Sequence, residues 1–144
     1  MSPDNEPRAS AIFTLELEPS PEDIDALGHV SNLVYLRWVQ DAATAHSDAC
    51  GYGLEAYQAL GAVFVVRRHE IEYLRPALLG DGIVVETWVR DWRGASSTRR
   101  TRILRKGDGV ELCRASTLWA FVDLARGRPR RIPGELMGAF GLGA

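Results

Sequence analysis

Two carboxylates, a glycine, a histidine and an asparagine crowd into Asp23-Ile24-Asp25-Ala26-Leu27-Gly28-His29-Val30-Ser31-Asn32, and the apolar run Leu33-Val34-Tyr35-Leu36-Arg37-Trp38 follows at once. A carboxylate beside a helix start makes a useful chemical pair. The helix amides and dipole can hold a developing oxyanion while the carboxylate attacks or activates water. Gly28 supplies the freedom for a sharp turn that would face Asp25 toward the helix start. Each residue also has a plainer use. An acid near a helix start stabilises the helix by about 0.3–1 kcal/mol without any catalysis. Ser31 and Asn32 are both preferred N-caps, and His29 can serve as a structural histidine. A Ser31-His29-Asp25 triad is disfavoured, because no Gly-x-Ser-x-Gly elbow is present and residues so close in sequence seldom reach triad geometry. His29, His46 and His69 show no metal-ligand spacing, so no metal is expected.

The elements that must position this loop can be read from periodicity. Residues 1–10 are polar, carry two prolines and read as a disordered tail; residues 11–144 read as one domain. Residues 12–18 alternate like a half-buried strand, and Pro19-Ser20-Pro21 ends it. From about Ser31 to Ala49 the pattern is helical and apolar round most of its circumference, which predicts a helix enclosed by something larger. Its polar stripe is Arg37, Asp41, Thr44 and Asp48, with Arg37 and Asp41 spaced to pair. Gly51 and Gly53 close it. A short segment spans about Leu54 to Leu60. Four strands follow: Val63 to Tyr73, Ile83 to Trp92, about Ser96 to Lys106, and Val110 to Asp123, with Gly107-Asp108-Gly109 as a hairpin turn. One strand, one helix and four strands joined largely by hairpins predict an α+β fold with an antiparallel sheet.

Composition sets the outer limits. A net charge of −2 gives no global attraction to nucleic acid, so any anion binding must be local. Basic residues do cluster at Arg99, Arg100, Arg102, Arg105 and Lys106, and again at Arg126, Arg128, Arg130 and Arg131. On an alternating strand, most such arginines form a solvated face. Cys50 and Cys113 lie far apart, fit no zinc or CxxC pattern and read as reduced packing residues. The N-terminus lacks the apolar core of a signal peptide, and no apolar run approaches the roughly 20 residues of a membrane span. A cytoplasmic location is expected.

The Asp-x-Asp-x-x-Gly-His-Val-Ser-Asn stretch resembles the signature of the hotdog-fold acyl-CoA thioesterases of the 4-hydroxybenzoyl-CoA type, in which Asp-x-Asp-x-x-Gly-His-Val-Asn-Asn opens the central helix. Ser31 stands where the first asparagine is usual. Glu70 to Asp81 is similar to that family's second strand and turn, and Gly127 to Pro133 to its exit from the last strand. The resemblance implies a hotdog fold, a curved antiparallel sheet wrapped round one long central helix. It also implies hydrolysis of an acyl thioester to a carboxylic acid and free coenzyme A, without metal or cofactor. By the same resemblance Asp25 attacks the thioester carbonyl or activates water, an amide near Asn32 binds the thioester oxygen, and His29 orients or polarises the substrate. Gly28 and Ser31 border the substrate, while Asp23 reads as structural. Gln40 occupies a position where related sequences often carry glutamate; glutamine cannot act as a base, which returns the chemistry to Asp25. Arg128 and Arg131 are candidates for the phosphates of coenzyme A. A homodimer or homotetramer is implied, with Arg67 and His69 of one copy lining the site of another. Two alternatives remain: a hotdog hydratase, whose Asp–His spacing is one residue longer than that of Asp25 and His29, and a non-catalytic acyl-CoA-binding protein.

Overall fold

Alternation along the strands sets which face is buried. In the computed structural model, which describes residues 8–141, Ser97, Arg99, Thr101 and Ile103 are buried while their neighbours are partly exposed. The elements are β1 (Phe13–Leu17), α1 (Asn32–Ala49), α2 (Leu54–Leu60), β2 (Ala62–Tyr73), β3 (Ile83–Arg93), β4 (Ser96–Arg105), β5 (Glu111–Asp123) and α3 (Gly134–Ala139). The strands form one sheet in the order β1-β3-β4-β5-β2, and every pairing is antiparallel. β2 follows α1 and α2 in sequence yet lies at the far edge, paired among the described residues only with β5. Register shifts fall at Val66/Arg68 in β2 and at Val89/Asp91 in β3, and opposite Ile103/Leu104 of β4, where Leu112 of β5 is the extra residue. Such bulges bend and twist a strand locally, which lets a sheet curl over a helix.

The fold class expected from the sequence is the one formed, with one correction to the helix. α1 is buried on a single face, through Val34, Tyr35, Trp38, Val39, Ala42, Ala43 and His46. The opposite face is open: Leu33 is 77% exposed, and Arg37, Gln40, Asp41 and Thr44 are exposed as well. The open five-stranded sheet reaches only one side of α1, which packs closest against β3 and β1. Of the apolar residues that suggested full enclosure, Leu33 faces solvent and Leu36 and Ala45 are only half-buried, so composition overstated burial. The expected Arg37–Asp41 pair is also replaced. Arg37 Nη2 donates to Asp23 Oδ1 at 3.0 Å, tying the helix back to the loop before it.

Of the expected tail, residues 1–7 lie outside the described residues. Ala9 and Ser10 are held against β3, with both backbone amides donating to the Val89 carbonyl and the buried Ser10 hydroxyl accepting from Val89 N. The core has two lobes, one at each end of α1. One gathers Tyr35, Trp38 and Val39 over Ile83, Val85, Ile103 and Cys113. The other gathers Phe121, Ile132, Leu136 and Phe140, with α3 closing the sheet from below. α3 had no counterpart in the sequence reading.

Candidate active site

The loop before α1 is a miniature hairpin. Ile24 and Val30 form an isolated antiparallel bridge, Asp25 N donates to the His29 carbonyl at 2.7 Å, and Gly28 N donates to the Asp25 carbonyl at 3.1 Å. Gly28 has φ +83°, a conformation that other residues adopt only with strain. Asp25 Oδ1 accepts from Leu27 N at 2.9 Å and from His29 N at 3.2 Å. One carboxylate oxygen is therefore fixed by the loop's own amides, while Oδ2 has no partner among the described residues. The side chain is exposed. It is a held but available carboxylate.

Asp23 behaves differently. It is 4% exposed, and its Oδ2 accepts from Ser20 N at 2.8 Å while Oδ1 takes the Arg37 guanidinium. The Ser20 amide holds its carboxyl below the usual range, burial opposes that shift, and Arg37 adds to it. Asp23 is committed to structure, and its own carbonyl accepts from Ser31 N.

Ser31, rather than Asn32, is the N-cap. Its hydroxyl accepts from Leu33 N at 3.3 Å, and its carbonyl accepts from Val34 N at 2.9 Å. The first helical N–H, that of Asn32, has no acceptor among the described residues, as expected for an orphan donor at a helix start. Asp25, His29, Ser31 and Asn32 border one shallow groove, whose other wall is Tyr73 to Pro76 at the end of β2. Gly28 shapes the turn without lining that groove.

The far wall is fixed from inside the core. Ala77 N donates to the Tyr35 hydroxyl at 2.8 Å, and that hydroxyl donates to the Arg75 carbonyl at 3.2 Å. The Leu112 carbonyl, at the shift between β4 and β5, accepts from both Leu74 N and Arg75 N. Val30 N donates to the Ala77 carbonyl and joins this wall to the loop of Asp25. Tyr35 was missed as a positioning residue; a lone hydroxyl inside an apolar helix face was its only signal.

The remaining expected site residues lie elsewhere in the chain. Arg67 is exposed at the β2 register shift. His69 faces inward, its Nδ1 2.9 Å from Thr117 Oγ1, with Nε2 buried and unpartnered. Burial lowers its pKa. Arg128 and Arg131 are exposed beyond β5, where Asp123 N donates to the Arg128 carbonyl and Asp123 pairs with Ala62 at the start of β2. That is the opposite end of β2 from Tyr73 and the groove. Among the described residues, no group of three or more acidic, histidine or cysteine side chains is placed to hold a metal.

The first basic cluster divides by strand alternation. Arg102 pairs with Glu86, and Arg105 with Asp81 and Asp108, on the outer side. Arg99 is 6% exposed and points inward, against the expectation of a solvated face. Its Nη1 donates to His46 Nδ1 at 2.9 Å and to Thr87 Oγ1 at 3.1 Å.

Comparison with known proteins agrees with this architecture. Residues 19–140 match the family described as the thioesterase-like superfamily. The acyl-CoA thioester hydrolase YbgC of Escherichia coli O6:H1 is 30% identical over 131 residues, which is 91% of this chain and 97% of that protein. Solved structures share the fold, among them two thioesterases named for their substrates. A 1,4-dihydroxy-2-naphthoyl-CoA thioesterase from Synechocystis superposes with a TM-score of 0.83 at 19% identity, covering 91% of this chain and 96% of its own. A 4-hydroxybenzoyl-CoA thioesterase variant complexed with 4-hydroxybenzoyl-CoA gives a TM-score of 0.80 at 21% identity, covering 89% and 97%.

Proposed function

The chain belongs to the thioesterase-like superfamily, and on that premise we propose that it hydrolyses acyl-CoA thioesters in the groove at the start of α1. The observation that carries the reading is the meeting of Asp25, with one oxygen held and one available, and the unpartnered Asn32 N–H in a single groove. A thioester carbonyl placed between them would receive attack from Asp25 Oδ2 directly, or from a water whose proton Asp25 removes. Negative charge then grows on the carbonyl oxygen toward the helix start, where the Asn32 amide and the dipole stabilise it. Collapse breaks the carbon–sulfur bond, and the thiolate of coenzyme A leaves and is protonated. The direct route leaves an acyl-aspartyl anhydride that a second water cleaves. Either way, one water and one thioester give one carboxylic acid and one thiol. His29 stands beside the carbonyl position to orient it. Ser31, as N-cap, positions the amide without contacting the charge.

We further propose that the working unit is a homodimer or a larger even assembly. Among the described residues β2 has one long unpaired edge, and pairing it antiparallel with the β2 of a second copy satisfies those backbone groups. That pairing sets the start of one β2, with Arg128 and Arg131 beside it, near the end of the other β2 and its groove. Arg67 and His69 then lie along the shared seam. Coenzyme A phosphates would meet these arginines, and two free thiols suit a reducing cytoplasm.

A screen of acyl-CoA thioesters with thiol release as readout, run alongside light scattering, tests both statements. Turnover of at least one acyl-CoA by a dimer or larger assembly is expected. No thiol release from any acyl-CoA would overturn the enzymatic reading, and an active monomer would overturn the shared site.

A further inference from the structure

Roughly 20 Å along α1 from the groove, by the helix rise per residue, a second cavity opens under its C-terminal half. It has a volume of about 240 Å³, and its walls are mostly apolar and aromatic, including Phe64, Trp92, Trp119 and Phe140. An apolar cavity of about 150 Å³ already admits benzene, so this one has room for a ring or short chain and a polar head.

Hydroxyl, indole and guanidinium side chains supply most of the polar lining of the cavity. At one side Ser47 Oγ donates to the Tyr52 carbonyl at 2.7 Å and lies 2.7 Å from the Tyr57 hydroxyl. Trp92 and Trp119 present their rings, with indole N–H groups that are buried and lack acceptors among the described residues. Arg99 forms the base. It stays cationic at neutral pH, although burial lowers its pKa to about 10. No carboxylate among the described residues pairs with it. Asp48 sits at the exposed rim and makes no ion pair with it. The nearest acid–base neighbour, His46, accepts a hydrogen bond from Arg99 and is therefore neutral at Nδ1. Burial and the adjacent guanidinium drive the His46 pKa down to about 4, so at neutral pH the imidazole is uncharged and leaves the Arg99 charge unbalanced. A buried cation without a counter-charge is costly, and an anion delivered into the cavity would offset that cost.

We propose that this cavity binds the carboxylate of a small apolar-bodied molecule, with Arg99 taking the carboxylate and the aromatic walls taking the body. Two sources share this chemistry. One is a free carboxylic acid. The other is a terminal carboxylate on the acyl chain of a thioester held at the groove of the same or a neighbouring copy, and this second source rests on the proposed hydrolysis.

The test uses phenylacetate, hexanoate and their carboxamides, titrated against the full chain with tryptophan fluorescence as readout, since Trp92 and Trp119 wall the cavity. Saturable binding of a carboxylate at least about tenfold tighter than its carboxamide is expected, with loss of that preference in Arg99→Gln. Equal affinity for acid and amide, or no binding of either, overturns the proposal. If Arg99→Gln does not fold, the acid–amide comparison on the wild-type chain decides by itself. Binding is read without turnover, so an inactive protein that still prefers the acid sinks the thioesterase reading and leaves this one standing. To separate the sources, kcat/KM is compared for an acyl-CoA with a terminal carboxylate and its methyl-ended counterpart. A preference for the former that Arg99→Gln abolishes assigns the acyl chain; acid binding without that preference assigns the free acid.

Discussion

At its first turn α1 meets a loop whose Asp25 stands in water; at its last turns it covers a cavity at whose base Arg99 is buried. Asp25 is exposed and fixed almost wholly by backbone amides within its own loop. Arg99 is 6% exposed and held by His46 and Thr87, which come from α1 and β3. The first arrangement is local: a glycine turn, a cap and a carboxylate written within a few residues. The second exists only because β4 is a central strand and α1 lies across it. The contrast teaches that a reactive group can be left accessible where the chain holds itself, whereas a desolvated charge needs walls from several elements. Changes at the exposed end should therefore alter rate with little effect on folding, and changes at the buried end should alter stability.

The sharpest way to break that contrast is Asp25→Asn. It should lower kcat by at least about a hundredfold, the scale of a lost acid–base group, while the melting temperature stays near wild type because the side chain is exposed. Near-normal turnover in a folded preparation would remove Asp25 from the chemistry.

The buried end is probed by pH. The folded-state pKa of His46 is depressed to about 4 from its ordinary value near 6.5, so below about pH 6.5 the unfolded chain binds a proton that the folded chain refuses. Stability should be full above that pH and fall as pH drops toward 4, by up to about 3 kcal/mol from this group. The lowered pKa of His69 acts in the same direction, so the informative quantity is wild type minus His46→Gln in denaturant titrations at pH 7, 5.5 and 4.5. Parallel curves for the two proteins would mean that His46 is not desolvated against Arg99.

A smaller effect sharpens the comparison from the groove side. Tyr35→Phe removes the hydroxyl that Ala77 N donates to and that donates to the Arg75 carbonyl, leaving a buried amide unsatisfied. Stability should fall by about 1–3 kcal/mol, and KM should rise as the groove wall loosens. Loss of stability with unchanged kinetic constants would confine Tyr35 to packing.

The strand and helix periods were legible because they are local. Side chains two apart on a strand, or three to four apart on a helix, share a face whatever surrounds them. The grouping of Cys113, Ala115 and Thr117, like that of His69, Ile71 and Tyr73, could thus be read without a fold, and β5 and β2 pair with those residues opposite one another. The loop carrying Asp25, Gly28, His29, Ser31 and Asn32 was equally legible, since its hydrogen bonds close within itself. Even there Ser31 and Asn32 stood as rival caps, and only the backbone geometry chose Ser31.

Tertiary structure decided what depends on distant neighbours. Sequence could not say that β2 would leave α1 and settle at the far edge beside β5, because strand order reflects which long-range pairing buries most surface. It could not say that Arg37 would turn back to Asp23 instead of forward to Asp41, since both carboxylates lie within reach of a long side chain. Nor could it separate Arg99 from the arginines around it. Alternation assigned Arg99 to one face of its strand, but whether that face met solvent or a helix depended on where α1 crossed the sheet. Charge type is a property of the residue; the cost of burying it belongs to the surroundings that only the folded chain supplies.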